Sequence, residues 1–215
     1  MIKVLIVDDH QLIRYGFKSL LDNAEDIEVI GEVGTGEAAI EFVRENPPNV
    51  ILMDLRMPGI GGMEATRKLS RSTPESRILI VTACDAEPFP SMLMQVGASG
   101  FLSKTASDDE MLTAVRAIAA GEKYVSPEIQ QRIDARLLEG ENSSPFNALT
   151  DKELQVMLML ISGKKPKYIA EKMYVDPKTI CAYRYRIYEK LNIGSDVDLA
   201  ILAIRYGIID DVHLQ

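Results

Sequence analysis

The sequence predicts an α/β domain with a parallel sheet, followed by a small all-α domain. Short apolar runs alternate with amphipathic segments over residues 1–121, a pattern typical of βα units that wind a parallel sheet. After Gly121 that alternation ends, and four short helical patterns fill residues 147–215. The charge also divides: the chain has a net charge of −8, whereas residues 146–215 carry 10 Lys and Arg against 9 Asp and Glu. This division indicates two domains with different partners.

In the first domain, each strand is predicted from a short apolar run and each helix from apolar residues at helical spacing. The predicted strands are Ile2–Val7, Ile27–Val33, Val50–Met53, Arg77–Thr82 and Gly100–Ser103. The predicted helices are His10–Asn23, Gly36–Asn46, Gly62–Ser72, Pro88–Val96 and Asp108–Ala120. Residues 122–146 are predicted as a linker that contains a helix over Pro127–Glu139.

The second domain begins with a capping box, in which Thr150 and Glu153 satisfy each other's backbone donors. The predicted helices are Asp151–Ser162, Pro166–Met173, Pro177 to about Leu191, and Ser195 to about Tyr206. A tight turn joins the middle pair, with Asp176 as N-cap and Pro177 as the first helical residue. Four short helices with such a turn indicate a helix-turn-helix module over residues 147–215.

The sequence argues against several other classes of protein. The apolar start meets two aspartates too early for a signal peptide, and no apolar run approaches the roughly 20 residues of a membrane helix. We therefore expect a soluble, cytoplasmic protein without a membrane partner. Cys84 and Cys181 lie far apart, and only His10 and His213 could add nitrogen ligands, which argues against a zinc site or a disulfide framework.

Polar residues stand where the strands of the first domain end. Asp8 and Asp9 follow the first strand, Asp54 ends the third, Thr82 ends the fourth and Lys104 follows the fifth. In parallel sheets the carboxyl ends of the strands share one edge, where ligands bind. We therefore expect these five side chains to converge.

Three carboxylates in one cleft repel each other, so the site must take up protons or bind a cation. Oxygen ligands suit Mg²⁺, which usually takes one or two carboxylates together with phosphate oxygens. Asp54 could then act as a nucleophile toward a phosphoryl group, with Lys104 as the fixed cation and Thr82 as a hydrogen-bond donor. The alternative is structural: Asp8 and Asp9 cap the following helix, and Lys104 neutralises the cluster.

Five short motifs, together with their order and spacing, resemble the signature of a two-component receiver domain. They are Val7-Asp8-Asp9, Met53-Asp54, Met57-Pro58-Gly59, Val81-Thr82-Ala83 and Ser103-Lys104. The resemblance covers about residues 1–121. It implies a flavodoxin-like sheet of five parallel strands in the order 2-1-3-4-5. It also implies that Asp54 accepts a phosphoryl group from the phosphohistidine of a sensor histidine kinase.

The same resemblance assigns further roles around Asp54. Asp9 and Asp54 would bind Mg²⁺ directly, Asp8 through water, and the backbone carbonyl of Arg56 would be a further ligand. Thr82 and Phe101 would form the conformational switch, which cannot use an aromatic hydroxyl because Phe101 has none.

The third predicted helix of the second domain has one apolar side and one basic side. At 100° per residue, Ile180, Tyr183, Ile187 and Leu191 form a core stripe. Opposite lie Lys178, Ala182, Tyr185 and Glu189, flanked by Cys181 and Arg186. Cations on this face can hold phosphates while small side chains approach base edges in a major groove.

Four further motifs resemble the LuxR-type helix-turn-helix domain of the NarL/FixJ response regulators, over about residues 147–210. They are Leu149-Thr150-Asp151-Lys152-Glu153, Ile169-Ala170-Glu171-Lys172-Met173, Thr179-Ile180 and Glu189-Lys190-Leu191. The resemblance implies a fourth helix that often dimerises. It also implies base contacts from Cys181, Ala182 and Tyr185, and phosphate contacts from Lys178, Thr179, Tyr183, Arg184 and Arg186.

The joined pattern is closest to the GacA/UvrY type of response regulator, on the motifs Asp54–Gly62, Pro88-Phe89-Pro90, Ser144-Pro145-Phe146, Pro177-Lys178-Thr179 and Tyr183–Arg186. This implies a hybrid sensor kinase as partner and control of small regulatory RNA genes. We expect a non-enzymatic regulator that dimerises on phosphorylation and binds double-stranded DNA.

Two alternatives belong to other classes. One is a signalling adaptor whose second domain binds protein. The other is a phosphatase with an aspartate nucleophile. The haloacid-dehalogenase type of phosphotransferase has a second Asp two residues after the nucleophile, and Arg56 at that position counts against it.

Overall fold

The computed structural model describes residues 1–82, 93–94, 96–127, 129–131, 145–206 and 208. The described residues up to 130 form one compact unit, and those from 145 onward form a second. Most of the predicted helix over Pro88–Val96, most of that over Pro127–Glu139, and Cys84 lie outside the described residues. The predicted domain boundaries stay predictions.

The first unit is built on a parallel sheet, which confirms the predicted fold class. Its strands are β1 (Ile2–Val7), β2 (Ile27–Val33), β3 (Val50–Met53), β4 (Arg77–Thr82), β5 (Gly100–Ser103) and β6 (Tyr124–Val125). Their order is β2-β1-β3-β4-β5-β6, and every neighbouring pair is parallel.

The predicted number of five strands was wrong by one, because β6 lies in a segment that was predicted as linker. Tyr124 pairs with Gly100 and Val125 with Phe101 at the edge of the sheet. A strand of two residues is too short to show an alternating pattern, so the sequence gives no signal for it.

Helices cover the sheet because parallel strands must be buried on both faces. The helices of this unit are α1 (Gln11–Asp22), α2 (Gly36–Glu45), α3 (Gly61–Ser72) and α4 (Asp108–Ala120). Caps fix their ends: the Thr35 hydroxyl accepts from Ala38 N, and the Ser107 hydroxyl accepts from Glu110 N. All four residues of β3 are buried, and the strand lies between β1 and β4. Asp54 follows its last residue, Met53, and so lies near the centre of the carboxyl edge of the sheet.

The second unit contains a 3₁₀ turn, Pro145–Ala148, and four helices. These are α5 (Asp151–Ile161), α6 (Pro166–Met173), α7 (Pro177–Leu191) and α8 (Asp196–Arg205). The predicted capping box is present: Thr150 N donates to Glu153 Oε2 at 2.8 Å, and Glu153 N donates to Thr150 Oγ1 at 3.4 Å. Apolar side chains from each element, Phe146, Leu154, Ile169, Ile187 and Leu199 among them, are fully buried.

A tight turn separates α6 from α7, as predicted. Tyr174 adopts the left-handed conformation there, with φ of 55°. The Asp176 side chain caps α7 by accepting from Lys178 N at 2.7 Å. Among the described helices, none combines the length and the apolar character that crossing a bilayer requires.

Candidate functional site

The structure brings Asp8, Asp54 and Lys104 together at the carboxyl edge of the sheet, as predicted. The sheet ladder sets their positions: Asp54 N donates to Val7 O at 2.8 Å, and Lys104 N donates to Thr82 O at 2.9 Å. Lys104 Nζ lies 2.6 Å from Asp8 Oδ2 and 3.1 Å from Asp54 Oδ2. Both carboxylates are almost fully buried. One lysine therefore bridges two buried carboxylates.

Asp9 and His10 complete the cluster on its exposed side. His10 Nδ1 lies 2.9 Å from Asp9 Oδ1 and 3.4 Å from Asp8 Oδ1. Each of Asp8, Asp9, His10 and Asp54 offers one ligand atom, and these atoms lie within 4.8 Å of one another. Three carboxylates against one lysine leave excess negative charge, and oxygen ligands of this kind fit Mg²⁺.

The place of His10 in this cluster was missed by the sequence analysis, which considered the residue only as a possible zinc ligand. Its position directly after Asp9 was the available signal. Its backbone also matters, since His10 N donates to Asp8 Oδ1 at 2.8 Å and fixes that carboxylate.

The two oxygens of Asp54 have different surroundings. Oδ1 accepts from Leu55 N at 2.8 Å, whereas Oδ2 faces Lys104. Burial raises the pKa of the Asp54 carboxyl above its ordinary value, the Lys104 ammonium opposes that rise, and the Asp8 carboxylate adds to it. Asp54 is thus a poorly solvated carboxyl group, and perturbed carboxyl groups of this kind are common at functional sites.

The loop after Asp54 is closely packed against the residue itself. A Cβ at Gly62 would lie 1.9 Å from Asp54 O, so a side chain there would push the loop away. Gly59 adopts a φ of 80°, and Glu37 Oε1 fixes the loop by accepting from Ile60 N at 2.9 Å. Arg56 lies within this loop, and its carbonyl as a metal ligand stays a prediction.

Thr82, the last residue of β4, and Phe101, the second residue of β5, are both fully buried. In the register of β4 and β5, Phe101 is opposite Ile80, and Thr82 is opposite Ser103. Side chains two residues apart on a strand share a face, so Thr82 and Phe101 lie on the same face of the sheet. Their role as a switch stays a prediction.

Helix α7 presents most of the predicted face to solvent. Exposed residues on it are Lys178, Cys181, Ala182, Tyr185 and Arg186, whereas Ile180, Ile187 and Leu191 are buried. Tyr183 was predicted in the core stripe but is only half-buried, and its ring centroid lies 4.8 Å from the Arg186 guanidinium. Thr179 is also half-buried.

Three cations of α7 contact carboxylates of neighbouring helices. Lys190 Nζ lies 2.6 Å from Glu153 Oε2, and Arg186 Nε lies 3.7 Å from Glu153 Oε1. Burial alone would raise the pKa of Glu153, but the hydrogen bonds from Lys190 and Thr150 outweigh it and hold the pKa below its ordinary value. Arg184, half-buried, pairs with Asp196 at 2.7 Å.

Known proteins resemble both units of the chain. The family model described as "Response regulator receiver domain" matches residues 4–116, and that of "Bacterial regulatory proteins, luxR family" matches residues 147–203. The response regulator GacA of Pseudomonas aeruginosa is 46% identical over 211 residues, covering 98% of this chain and 99% of its own. The response regulator UvrY of Escherichia coli is 45% identical, covering 97% and 96%.

A solved structure agrees with these relatives. The crystal structure of a two-component response regulator of the LuxR family from Aurantimonas sp. SI85-9A1 is 33% identical, with a TM-score of 0.62. It covers 64% of this chain and 99% of its own.

Proposed function

Since this chain belongs to the response regulators that join a receiver domain to a LuxR-type DNA-binding domain, we propose that a sensor histidine kinase phosphorylates it on Asp54. One observation carries the proposal: Asp54 is buried at the end of β3, within 3.1 Å of Lys104 and beside two further aspartates. Phosphoryl transfer needs a nucleophile, a fixed cation and a metal site in this arrangement.

The transfer step uses residues of this pocket. An Asp54 carboxylate oxygen forms a bond to phosphorus while the phosphorus–nitrogen bond of the kinase phosphohistidine breaks, and the bonding electron pair stays on the imidazole. Lys104 neutralises the phosphoryl oxygens, and the Thr82 hydroxyl donates to one of them. Mg²⁺, when bound, supplies the positive charge that offsets the phosphoryl group. Asp9 and Asp54 would hold it directly, Asp8 through water, and Arg56 through its carbonyl.

Phosphorylation acts as a shift between two states of the protein. The phosphoryl group draws Thr82 and Lys104 toward Asp54, and the space near Thr82 is then filled by Phe101, which lies on the same face of the sheet. The surface around Phe101 and α4 repacks, and this favours a homodimer. Two α7 helices of such a dimer read a roughly symmetric double-stranded DNA site.

On α7 we propose two kinds of DNA contact. Cys181, Ala182 and Tyr185 face base edges, and Lys178, Thr179, Tyr183 and Arg186 contact phosphates. Arg184 contributes least to these contacts, because its guanidinium would first have to break its ion pair with Asp196. This face and the LuxR-family match favour DNA over a protein ligand for the second domain.

The similarity to GacA and UvrY supports finer assignments by analogy alone. They are a hybrid sensor kinase as the phosphoryl donor, small regulatory RNA genes as targets, and a cytoplasmic location. By the same analogy the protein accepts one phosphoryl group and is not a multiple-turnover enzyme.

Intact mass spectrometry tests the site. Wild-type protein, incubated with Mg²⁺ and acetyl phosphate, should gain one phosphoryl group, and Asp54→Asn should gain none. Asp22→Asn, an exposed aspartate on α1, is the matched control and should be modified like wild type. An adduct that persists in Asp54→Asn would overturn the assignment, and steady release of phosphate at many turnovers would favour a phosphatase.

A further inference from the structure

A polar network ties the middle of α7 to the start of α8. Arg184 Nε donates to Tyr188 Oη at 2.7 Å and to Asp196 Oδ1 at 3.0 Å, and its Nη2 lies 2.7 Å from Asp196 Oδ2. Tyr188 Oη in turn donates to Asp196 Oδ1. Both Asp196 oxygens are thus engaged by groups of α7, and the guanidinium is held by a fork of two contacts.

The geometry of this network constrains one helix against the other. Arg184 and Tyr188 are four residues apart on α7, so their side chains lie on one side of the helix. Asp196 is the first residue of α8, after a short connection of four residues from Leu191. A bidentate guanidinium–carboxylate pair fixes direction as well as distance, so the network constrains the angle between α7 and α8.

The guanidinium also packs over an aromatic ring. Arg184 Cζ lies 5.4 Å from the centroid of the Tyr188 ring, within the range of a cation–π contact. Partial burial and the bond to Asp196 raise the pKa of Tyr188, so its hydroxyl keeps the proton that it donates. Arg184 is therefore held by a carboxylate, a hydroxyl and a ring of its own domain.

We propose that Arg184, Tyr188 and Asp196 are positioning residues for DNA reading: they orient α7 and do not themselves contact DNA. The inference rests on the proposed DNA-binding function of α7. It replaces a phosphate contact for Arg184 with an indirect role. It also assigns a function to Asp196, a carboxylate that electrostatics alone would place among residues unfavourable for binding DNA.

The two possible roles of Arg184, phosphate contact and positioning residue, predict opposite changes in DNA affinity for one substitution. Asp196→Asn removes a negative charge from a DNA-binding domain, so if Arg184 contacts phosphate, the freed guanidinium should bind DNA more tightly. If Arg184 positions the helix, Asp196→Asn should weaken binding to a specific site by about threefold, since a partly exposed ion pair of this kind contributes modestly. It should leave binding to unrelated DNA unchanged or slightly tighter.

The experiment uses the full chain and two probes. One is the duplex that wild-type protein, treated with Mg²⁺ and acetyl phosphate, enriches most from a random library; the other is a scrambled duplex of equal length. Dissociation constants are measured by fluorescence anisotropy over a range of salt concentrations. The informative quantity is the specificity ratio, which is the dissociation constant for the scrambled duplex divided by that for the enriched duplex. A loss of folded protein does not change this ratio.

We expect Asp196→Asn and Arg184→Lys each to lower this ratio by about threefold, and the double variant to lower it no further, because both break one network. The salt slope should stay unchanged, whereas loss of a phosphate contact would reduce it by about one. The charge swap, Arg184→Asp with Asp196→Arg, should restore part of the ratio. Glu171→Gln, at an exposed carboxylate on α6, is the control of equal charge change and should not lower the ratio.

Tighter binding of both probes by Asp196→Asn, or a reduced salt slope in an Arg184→Met variant, would overturn the inference. Failure of the proposed function looks different: wild-type protein would then enrich no duplex from the library.

Discussion

The two units of the chain each contain a buried carboxylate beside a lysine. The pKa values of these two carboxyl groups are shifted in opposite directions. Asp54 and Glu153 are exposed to similarly small extents, 3% and 2%. Burial raises the pKa of Asp54 above its ordinary value, and Lys104, which also contacts Asp8, offsets only part of that rise. The pKa of Glu153 lies below its ordinary value, because Lys190 and the backbone of Thr150 both donate to it.

This difference separates the proposed phosphoryl acceptor from a structural carboxylate. Glu153 caps α5 and pairs with two cations of α7, so both of its carboxylate oxygens already have partners. Asp54 lies in a cluster with more negative than positive charge and gains from a further cation or a covalent change. The two carboxylates therefore differ in the charge around them: Asp54 shares one lysine with Asp8, whereas Glu153 contacts two cations of α7.

The largest effect should come from removing Glu153. Glu153→Ala deletes a capping bond and the partner of Lys190, and should destabilise the second unit by about 2 kcal/mol. Hydrogen exchange of the α5 amides measures this loss without assuming that the two units unfold together. The exposed Glu171→Ala on α6 is the control and should change stability by less than about 0.5 kcal/mol. Unchanged protection of α5 in Glu153→Ala would show that the carboxylate is not structural.

Substitution of Asp54 should change stability in the opposite direction. Asp54→Asn removes a charge whose burial is unfavourable, so without Mg²⁺ the first unit should gain about 1 kcal/mol in stability. Lys104 keeps Asp8 as a partner in this variant. Hydrogen exchange of β3 and β4 measures the gain, with Asp22→Asn as the control of equal charge change. A loss of stability in Asp54→Asn would mean that Asp54 is as well satisfied as Glu153, and the contrast would fail.

The smallest effect should appear in the response to pH. For Asp54 the folded pKa lies above the unfolded one, so its contribution to stability is lost as pH rises through the folded pKa. For Glu153 the folded pKa lies below its ordinary value of 4.5, so its contribution is present above that value and lost as pH falls through the folded pKa. As the pH falls from 7 to 4.5, the first unit should gain a small amount of stability through Asp54, and protection of α5 should not change.

Hydrogen exchange at the two pH values, corrected for intrinsic rates, measures both units in one sample. The gain should vanish in Asp54→Asn. A gain that remains in that variant would assign the pH response to another group.

The parts of the structure that sequence alone predicts are those with a local signal. Strand ends carry Asp8, Asp54 and Lys104 to one edge because strand position follows from short apolar runs and their order. The capping box at Thr150 was visible for the same reason, since its two residues are three apart. These features need no knowledge of distant contacts.

The features that were missed depend on distant partners. Lys190 reaches Glu153 across 37 positions of the chain, and Arg184 reaches Asp196 on the next helix. The resemblance to LuxR-type domains assigned Arg184 a phosphate contact, because neither a motif nor helical periodicity shows the partner that a side chain meets. The pairing of Tyr124 with Gly100 was missed for a related reason, since an edge strand of two residues is defined only by its neighbour.

The ion pairs within the second unit also bear on how the protein searches a chromosome. Residues 146–215 have a nearly neutral overall charge, and three of the four cations on α7 already contact carboxylates. The first 145 residues are strongly acidic. Long-range attraction to bulk DNA is consequently weak, so few copies are held on non-specific sequence. Under the proposed function, occupancy of a target would then be governed by the fit of α7 to its site and by the fraction of chains that dimerise.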